Sequence, residues 1–186
     1  EIIGLGPSAD EYITDHTRQR IAAHQHRYLR TAQHPSAHLV VDAITFDQRY
    51  ETAGTFDDVY LGIAEDLIAA AIQHGEILYA VPGSPLILER TVRILKNDDR
   101  IECVINPAMG FLEIAWARLG IDPVENSVRL IDGHQFATAA AGLTGPLLVA
   151  HCHANWVLSD IKLAAEDSDS LSNDDMPVII LHHLGL

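Results

Sequence analysis

Residues 77–92 read ILYAVPGSPLILERTV, and this stretch decides the fold class that the chain predicts. Ile77–Val81 is an apolar run typical of a buried strand, and the Pro82–Pro85 turn is followed by a helical pattern that begins at Leu86. A strand that stops in such a turn and restarts as a helix places backbone groups at the carboxyl end of a sheet, where open α/β folds hold small molecules. A similar glycine-proline turn occupies residues 4–8, so two turns of this kind point to a ligand site.

Strands and helices alternate along the rest of the chain. An apolar stripe from Val59 to Ile72 predicts an amphipathic helix, and Gly75 is its expected C-cap. This order indicates an α/β chain with much parallel pairing, and the linker at residues 120–123 separates an N-terminal α/β domain, 1–120, from a C-terminal one, 124–186. Further strands are predicted at 2–6, 28–31, 44–46, 101–105, 127–131, 146–151 and 177–182, further helices at 86–96, 111–119 and 159–166, and an acidic, serine-rich surface loop at 167–175.

The composition argues against several classes of partner. Twelve basic residues against 26 acidic ones give a net charge of −14, which disfavours nucleic acid and anionic membranes. The sequence shows neither an apolar run near 18 residues nor the layout of a signal peptide. Cys103 and Cys152 lie in apolar runs, which favours a cytoplasmic protein with two reduced, buried thiols over a disulfide.

Two glycine-rich turns invite a nucleotide interpretation. Gly4-x-Gly6-x-x-Ala9 matches the dinucleotide fingerprint literally, but Pro7 removes an amide donor and no acidic residue lies between Asp15 and Asp42. A nicotinamide-dependent enzyme therefore stays a minor alternative. The Pro82–Pro85 turn offers few amide donors and no adjacent lysine, so it suits an adenosine or methionine moiety better than a phosphate, although an ordinary structural turn also explains it.

The histidines and acidic residues suggest neither a metal site nor a catalytic group. His151 and His153 are expected on one face of a strand, but no carboxylate stands near them at ligand spacing, and we predict no metal site. The sequence also shows no evident nucleophile or general base. Methyl transfer from a sulfonium is compatible with this absence, because the transfer depends mainly on holding the acceptor in line with the methyl group.

Three loops resemble those of the tetrapyrrole (corrin/porphyrin) methylases, and the likeness covers nearly the whole chain. They are residues 4–7, 81–85 and 105–112. The resemblance implies a two-domain fold, with a mostly parallel sheet in the first domain and a mixed sheet in a shortened second domain, which is expected to be truncated at Leu186. Residues 28–35, 89–92, 148–153 and 159–162 are similar to the branch of the family that is fused to a MazG-type nucleotide pyrophosphohydrolase.

The resemblance also implies a site and partners. S-adenosylmethionine is expected between the two domains, in a homodimer that methylates a small acceptor, such as a tetrapyrrole. The implied cofactor-binding residues are Gly83, Ser84, Pro85, Leu86, Met109, Gly110, Phe111, Leu112, Ala150, His151 and Cys152. The implied acceptor-side residues are Pro7, Ser8, Asp10 and Arg30.

The loops also depart from the family pattern. Ser84 stands where aspartate is usual, and the first loop continues Ser8-Ala9-Asp10 where Gly-Asp is common. These departures support an alternative function: a catalytically degenerate binding or regulatory domain attached to a nucleotide pyrophosphohydrolase.

Overall fold

The structure of the chain is a computed structural model that describes residues 1–167 and 177–184. Its contacts divide it into unit 1, residues 1–115 with 182–184, and unit 2, the described residues between 116 and 181. Most of the predicted acidic loop, from residue 168 to 175, lies outside the described residues. No helix in the described part of the chain is long and apolar enough to cross a membrane.

Unit 1 is built on a parallel four-stranded sheet. Leu78–Val81, most of the predicted Ile77–Val81 strand, forms one of its two inner strands, which pairs with a strand on each side and is buried throughout. Burial on both faces explains why this strand is continuously apolar instead of alternating. In the order of the sheet, the strands are β1 (Ile2–Gly4), β4 (Leu78–Val81), β2 (Arg27–Leu29) and β3 (Ile44–Thr45).

Helices cover this sheet, and two apolar clusters fill the unit. Tyr79 and Val81 of β4 belong to one cluster, whereas Leu78 and Ala80 belong to the other, as the alternation of strand side chains requires. The predicted amphipathic stripe packs into the first cluster except for Ile72, which is exposed, and its helix ends at Gly75, which has a φ of 82°. The helices are α1 (Asp15–Ala23), α2 (Asp47–Thr52), α3 (Phe56–His74), α4 (Arg90–Lys96) and α5 (Phe111–Leu119), the last ending in unit 2.

Two predicted elements of unit 1 differ in the structure. The helix predicted from residue 86 begins only at Arg90, because Leu88 has a φ of 58°, which no helical residue adopts. The strand predicted at 101–105 makes one isolated bridge, between Ile2 and Ile105. The backbone N–H of Ile2 donates to Val104 at 2.8 Å, so this segment follows the edge of the sheet without a continuous ladder.

Unit 2 contains a second parallel pair of strands with helices against it. Asp132 and Ala150 end the two strands side by side, and Ile131, Phe136 and Ala140 form the core. The predicted mixed sheet shows only parallel pairing within the described residues, and residues 177–182, predicted as a strand, form none there. The elements are β5 (Arg129–Asp132), α6 (Phe136–Ala139), β6 (Leu147–Ala150) and α7 (Asn155–Glu166).

Candidate functional site

Three loops meet at the carboxyl end of β1 and β4 in unit 1. We call residues 5–10 the first loop, 82–86 the second and 106–110 the third. The first two are joined by their backbones: the N–H of Leu5 donates to the carbonyl of Val81 at 2.8 Å, and the N–H of Gly83 donates to that of Gly6 at 2.7 Å. Backbone hydrogen bonds therefore join the two glycine-proline turns of the sequence directly.

Gly4 is the point where the three loops approach most closely. A Cβ atom on this residue would lie 2.1 Å from the carbonyl oxygen of Gly83 and 2.6 Å from the Cβ of Ala108. It would also lie 2.9 Å from Cδ of Pro85. The absence of a side chain at Gly4 therefore allows the second and third loops to close over the end of β1.

The predicted cofactor residues of unit 1 are gathered at these loops. Gly110 lies against Ser84, since a Cβ on Gly110 would be 3.4 Å from the Cβ of Ser84. The side chains of Leu86 and Met109 are 61 % and 38 % exposed, which leaves apolar surface at the loops. Pro85, by contrast, is fully buried, so it shapes the second loop from inside. Phe111 and Leu112 follow on the first turn of α5.

The predicted acceptor-side residues of the first loop differ in accessibility. Ser8 is buried, and its carbonyl accepts a hydrogen bond from Oγ of Ser36 at 2.9 Å, so its role is structural. Asp10 is half-buried and has Oδ2 3.3 Å from Nε2 of His38. Its Oδ1 is buried without a hydrogen-bond partner among the described residues, which makes it a free acceptor beside the loop. Pro7 lies between them, half-buried.

His34 also belongs to this site, although the sequence analysis gives it no role. Its Nδ1 must accept the hydrogen bond from the backbone N–H of Ser36, at 3.2 Å, so Nε2 carries the proton and donates to the carbonyl of Gly6, at 3.1 Å. Burial lowers the pKa of His34, and the bond to Gly6 only partly opposes this. In the sequence, the only indication of this role is the His34-Pro35 pair, which follows a predicted strand.

We expect the stability of the chain to fall in mild acid because of His34. Since its folded pKa lies below the ordinary value of 6.5, the stabilisation is complete above pH 6.5 and is lost as the pH falls below it toward the folded pKa. Urea unfolding at pH 7.5 and pH 5.5 measures the loss. His34→Gln, which keeps a donor for Gly6 and does not titrate, should show a smaller loss; an equal loss in both proteins would contradict the assignment.

Arg30, predicted to face the acceptor, is tied into the protein. Its guanidinium donates to Oε2 of Glu89 at 2.6 Å and to the hydroxyl of Tyr50 at 2.9 Å. Burial is the largest single effect on the pKa of Arg30 and lowers it, but Glu89 and the neighbouring tyrosine hydroxyls together outweigh burial and keep that pKa above its ordinary value. Burial likewise raises the pKa of Glu89, and Arg30 opposes this rise. The pair thus joins the end of β2 to the start of α4.

The surroundings of this ion pair are polar and incompletely satisfied. Oε1 of Glu89, the hydroxyl of Tyr79 and Oγ1 of Thr91 are buried with no hydrogen-bond partner among the described residues. Buried groups of this kind are usually bonded to ordered water. Burial raises the pKa of Tyr79 well above its ordinary value, so its hydroxyl stays a neutral donor.

The remaining predicted cofactor residues, Ala150, His151 and Cys152, lie in unit 2. β6 ends at Ala150 and His151 has a φ of 60°, so the prediction that His151 and His153 share a strand face is wrong. Nδ1 of His151 lies 3.2 Å from Oδ1 of Asp132. Both cysteines are free and half-buried, not buried as predicted, and burial raises the pKa of the Cys152 thiol.

Comparisons with known proteins agree with this architecture. A family model described as Tetrapyrrole (Corrin/Porphyrin) Methylases matches residues 2–186. The curated Uncharacterized protein YabN of Bacillus subtilis (strain 168) is 26 % identical over 191 residues, which are 99 % of this chain. The match covers only 38 % of that relative, so the chain spans well under half of its length.

Solved structures share the fold. The uroporphyrin-III-C-methyltransferase of Thermus thermophilus matches with a TM-score of 0.58 and 15 % identity, over 80 % of this chain and 65 % of that one. The precorrin-6Y methylase of Archaeoglobus fulgidus matches with a TM-score of 0.54 and 24 % identity, over 80 % and 70 %. A Thermus thermophilus uroporphyrin-III C-methyltransferase complexed with S-adenosylhomocysteine has a TM-score of 0.53 at 12 % identity, over 71 % and 57 %.

Proposed function

Because the chain belongs to the tetrapyrrole (corrin/porphyrin) methylases, we propose that it is an S-adenosylmethionine-dependent methyltransferase. The observation that carries the proposal is the junction of the three loops at the carboxyl end of the unit 1 sheet. The hydrogen bond from the backbone N–H of Gly83 to the carbonyl of Gly6 closes this junction. Open α/β sheets hold their ligands at such an edge. A similar fold occurs in a methyltransferase described as complexed with S-adenosylhomocysteine.

The residues at this edge suit the cofactor. Leu86 and Met109 offer exposed apolar surface, as an adenosine or methionine moiety requires. Gly83, with a φ of 64°, has open space where a side chain would stand, so a ligand can approach its backbone. When bound, the cofactor supplies an electrophilic methyl group on a sulfonium sulfur. The protein would contribute mainly positioning, because no residue of these loops is an evident nucleophile.

The acceptor would approach from the first loop. We place Asp10 at this side because its side chain is 41 % exposed and its Oδ1 has no hydrogen-bond partner in the described part of the chain. Ser8 and Arg30 are already bonded within the protein, so they would support the acceptor site indirectly. A small, uncharged or cationic portion of a tetrapyrrole would suit this carboxylate. Ala150, His151 and Cys152 stay predicted cofactor residues.

Leu86→Asp should weaken the binding of S-adenosylhomocysteine at least about tenfold. Full burial of a leucine side chain contributes about 1.5–3 kcal/mol, and each 1.4 kcal/mol is a tenfold change in affinity. Because Leu86 is 61 % exposed, the substitution should leave folding intact. Isothermal titration calorimetry with S-adenosylhomocysteine and S-adenosylmethionine measures the change.

The matched control is Ile72→Asp. Ile72 is similarly exposed, at 65 %, but lies on α3 and not in the three loops. The affinity of Ile72→Asp for S-adenosylhomocysteine should equal that of the unaltered protein. Equal weakening by both substitutions would contradict the assignment of the second loop, and no heat with either ligand in the unaltered protein would reject the methyltransferase.

A catalytically degenerate binding or regulatory domain is the second candidate. Two observations favour it: Ser84 stands in the second loop where the resemblance expects aspartate, and the matched relative extends well beyond the region that this chain covers. In that case the domain would regulate an attached nucleotide pyrophosphohydrolase. Cofactor binding without methyl transfer to any tetrapyrrole would support this candidate.

We also propose a homodimer in the cytoplasm. The resemblance implies the dimer, and the two reduced cysteines favour the compartment. Sedimentation equilibrium of the purified protein tests the dimer.

A further inference from the structure

Unit 2 brings a carboxylate and two imidazoles together at the ends of its two strands. Asp132 is the last residue of β5 and pairs with Ala150, the last residue of β6. His151 follows β6 directly, and His134 stands two residues after Asp132. The parallel pairing therefore places all three side chains at the same edge of the sheet, although Asp132 and His151 are 19 positions apart in the sequence.

The three side chains are close enough to share one ion. Oδ1 of Asp132 lies 3.0 Å from Nδ1 of His134 and 3.2 Å from Nδ1 of His151. All three ligand atoms lie within 4.8 Å of one another. Tetrahedral ligands at the usual bond lengths of about 2.0–2.2 Å are separated by about 3.3–3.6 Å. The two carboxylate–imidazole distances therefore need to lengthen by only a few tenths of an ångström to accommodate one ion.

We propose that Asp132, His134 and His151 form a binding site for a divalent transition metal ion such as Zn²⁺. Two imidazole nitrogens and one carboxylate oxygen favour such an ion over Mg²⁺ or Ca²⁺, which take oxygen ligands. The three side chains are between 28 % and 38 % exposed, so an ion can enter. Three protein ligands leave a fourth position open for water or another ligand.

The neighbouring aromatic residues support the same site. The ring centroid of His153 lies 5.9 Å from that of His134. A rotation of the His153 side chain would bring a further ligand nitrogen to the ion. The indole of Trp156 lies 5.4 Å from His134 and restricts its ring. Among the described residues, Asp132 pairs with no lysine or arginine that would neutralise its charge.

A second cluster, in unit 1, has a sufficient structural explanation. Glu1, His24 and Glu76 also lie close together. Both carboxylate oxygens of Glu1 already bond the guanidinium of Arg20, and His24 bonds the carbonyl of Arg20 through Nδ1 and Glu76 through Nε2. We therefore assign the ion to unit 2.

The test is calorimetric titration of tag-free, chelator-treated protein with Zn²⁺, without S-adenosylmethionine. We expect one ion per chain at this site. His134→Ala and Asp132→Asn should each weaken that binding at least about tenfold, since even the loss of an outer partner of a metal ligand costs 10–100-fold. The matched control is His74→Ala: His74 is exposed and stacks on His26, a histidine pair outside the cluster, and its removal should leave the affinity unchanged.

Two further measurements separate the metal site from ordinary histidine–aspartate hydrogen bonds. Zn²⁺ should raise the thermal unfolding midpoint of the unaltered protein and of His74→Ala, but not that of His134→Ala. Co²⁺ should give the intense visible absorption of tetrahedral coordination. Zn²⁺ affinity that is equal in all four proteins, or no binding by the unaltered protein, would overturn the proposal.

The test relies on His134 to separate this site from the proposed function, because His151 is also a predicted cofactor residue. His134 is not among the proposed cofactor residues, so His134→Ala should bind S-adenosylhomocysteine as the unaltered protein does. Loss of metal binding with intact cofactor binding supports the metal site, whereas a protein that binds Zn²⁺ but not S-adenosylhomocysteine would reject only the methyltransferase.

Discussion

Gly4→Ala should destabilise unit 1 by at least about 3 kcal/mol, at or beyond the upper end of the usual cost of overpacking. The new Cβ would lie 2.1 Å from the carbonyl oxygen of Gly83. It would also lie 2.6 Å from Ala108 and 2.9 Å from Pro85, so neither neighbouring loop can yield without moving its backbone. Urea unfolding of the two proteins, analysed by linear extrapolation, measures the difference.

The control for Gly4→Ala is Gly54→Ala. A Cβ at Gly54 would have its nearest neighbour at 3.9 Å, an ordinary contact, and its φ is not in the left-handed region. We expect this substitution to change the free energy of unfolding by less than about 1 kcal/mol, in the stabilising direction, through the entropy of the unfolded chain. Similar effects at both glycines would show that the close approach of the loops is not as described.

A folded fraction of Gly4→Ala would also be informative. Because the three loops meet at Gly4, separating them should abolish S-adenosylhomocysteine binding even where the protein still folds. Retained binding at unaltered affinity would mean that the loop junction is not the cofactor site.

Arg30→Met should destabilise the chain by about 3–5 kcal/mol, the usual cost of removing one partner of a buried ion pair. Glu89 is only 7 % exposed, and without Arg30 its carboxylate would lose its 2.6 Å partner. The hydrogen bond to the hydroxyl of Tyr50 would be lost as well. Urea unfolding at pH 7.5 measures the effect.

The double variant Arg30→Met/Glu89→Leu tests whether the lost stability of Arg30→Met comes from leaving the carboxylate of Glu89 unpaired. Replacing both partners of a buried ion pair by apolar residues is often neutral or stabilising, so much of the lost stability should return. If Arg30→Met instead keeps full stability and loses only methyl transfer, Arg30 serves the acceptor, as the family resemblance implies.

The parallel α/β fold could be predicted from local patterns. The continuous apolar run before Pro82 is typical of a strand buried on both faces, and β4 is such a strand. The stripe that ends at Gly75 predicts α3, which the structure confirms. The segments at 101–105 and 177–182 were predicted less well, because an apolar run becomes a strand only where a neighbour accepts its hydrogen bonds.

The candidate site was predictable only in part. The glycine-proline turns located the first and second loops, because turn residues act through their own backbone angles. His34 was missed, since its role depends on the carbonyl of Gly6, 28 positions away. Arg30 was placed at the acceptor, but its partner Glu89, 59 positions away, binds it within the protein.

The sequence by itself determined the parallel strands and the loops at their carboxyl ends, because apolar periodicity and turn chemistry act over a few residues. Its resemblance to known loops indicated the family. Only the tertiary structure decided which side chains meet: Gly4 with Gly83, Arg30 with Glu89, and Asp132 with His151. The physical reason is that these contacts depend on strand order and loop closure, which bring together residues that no local pattern connects.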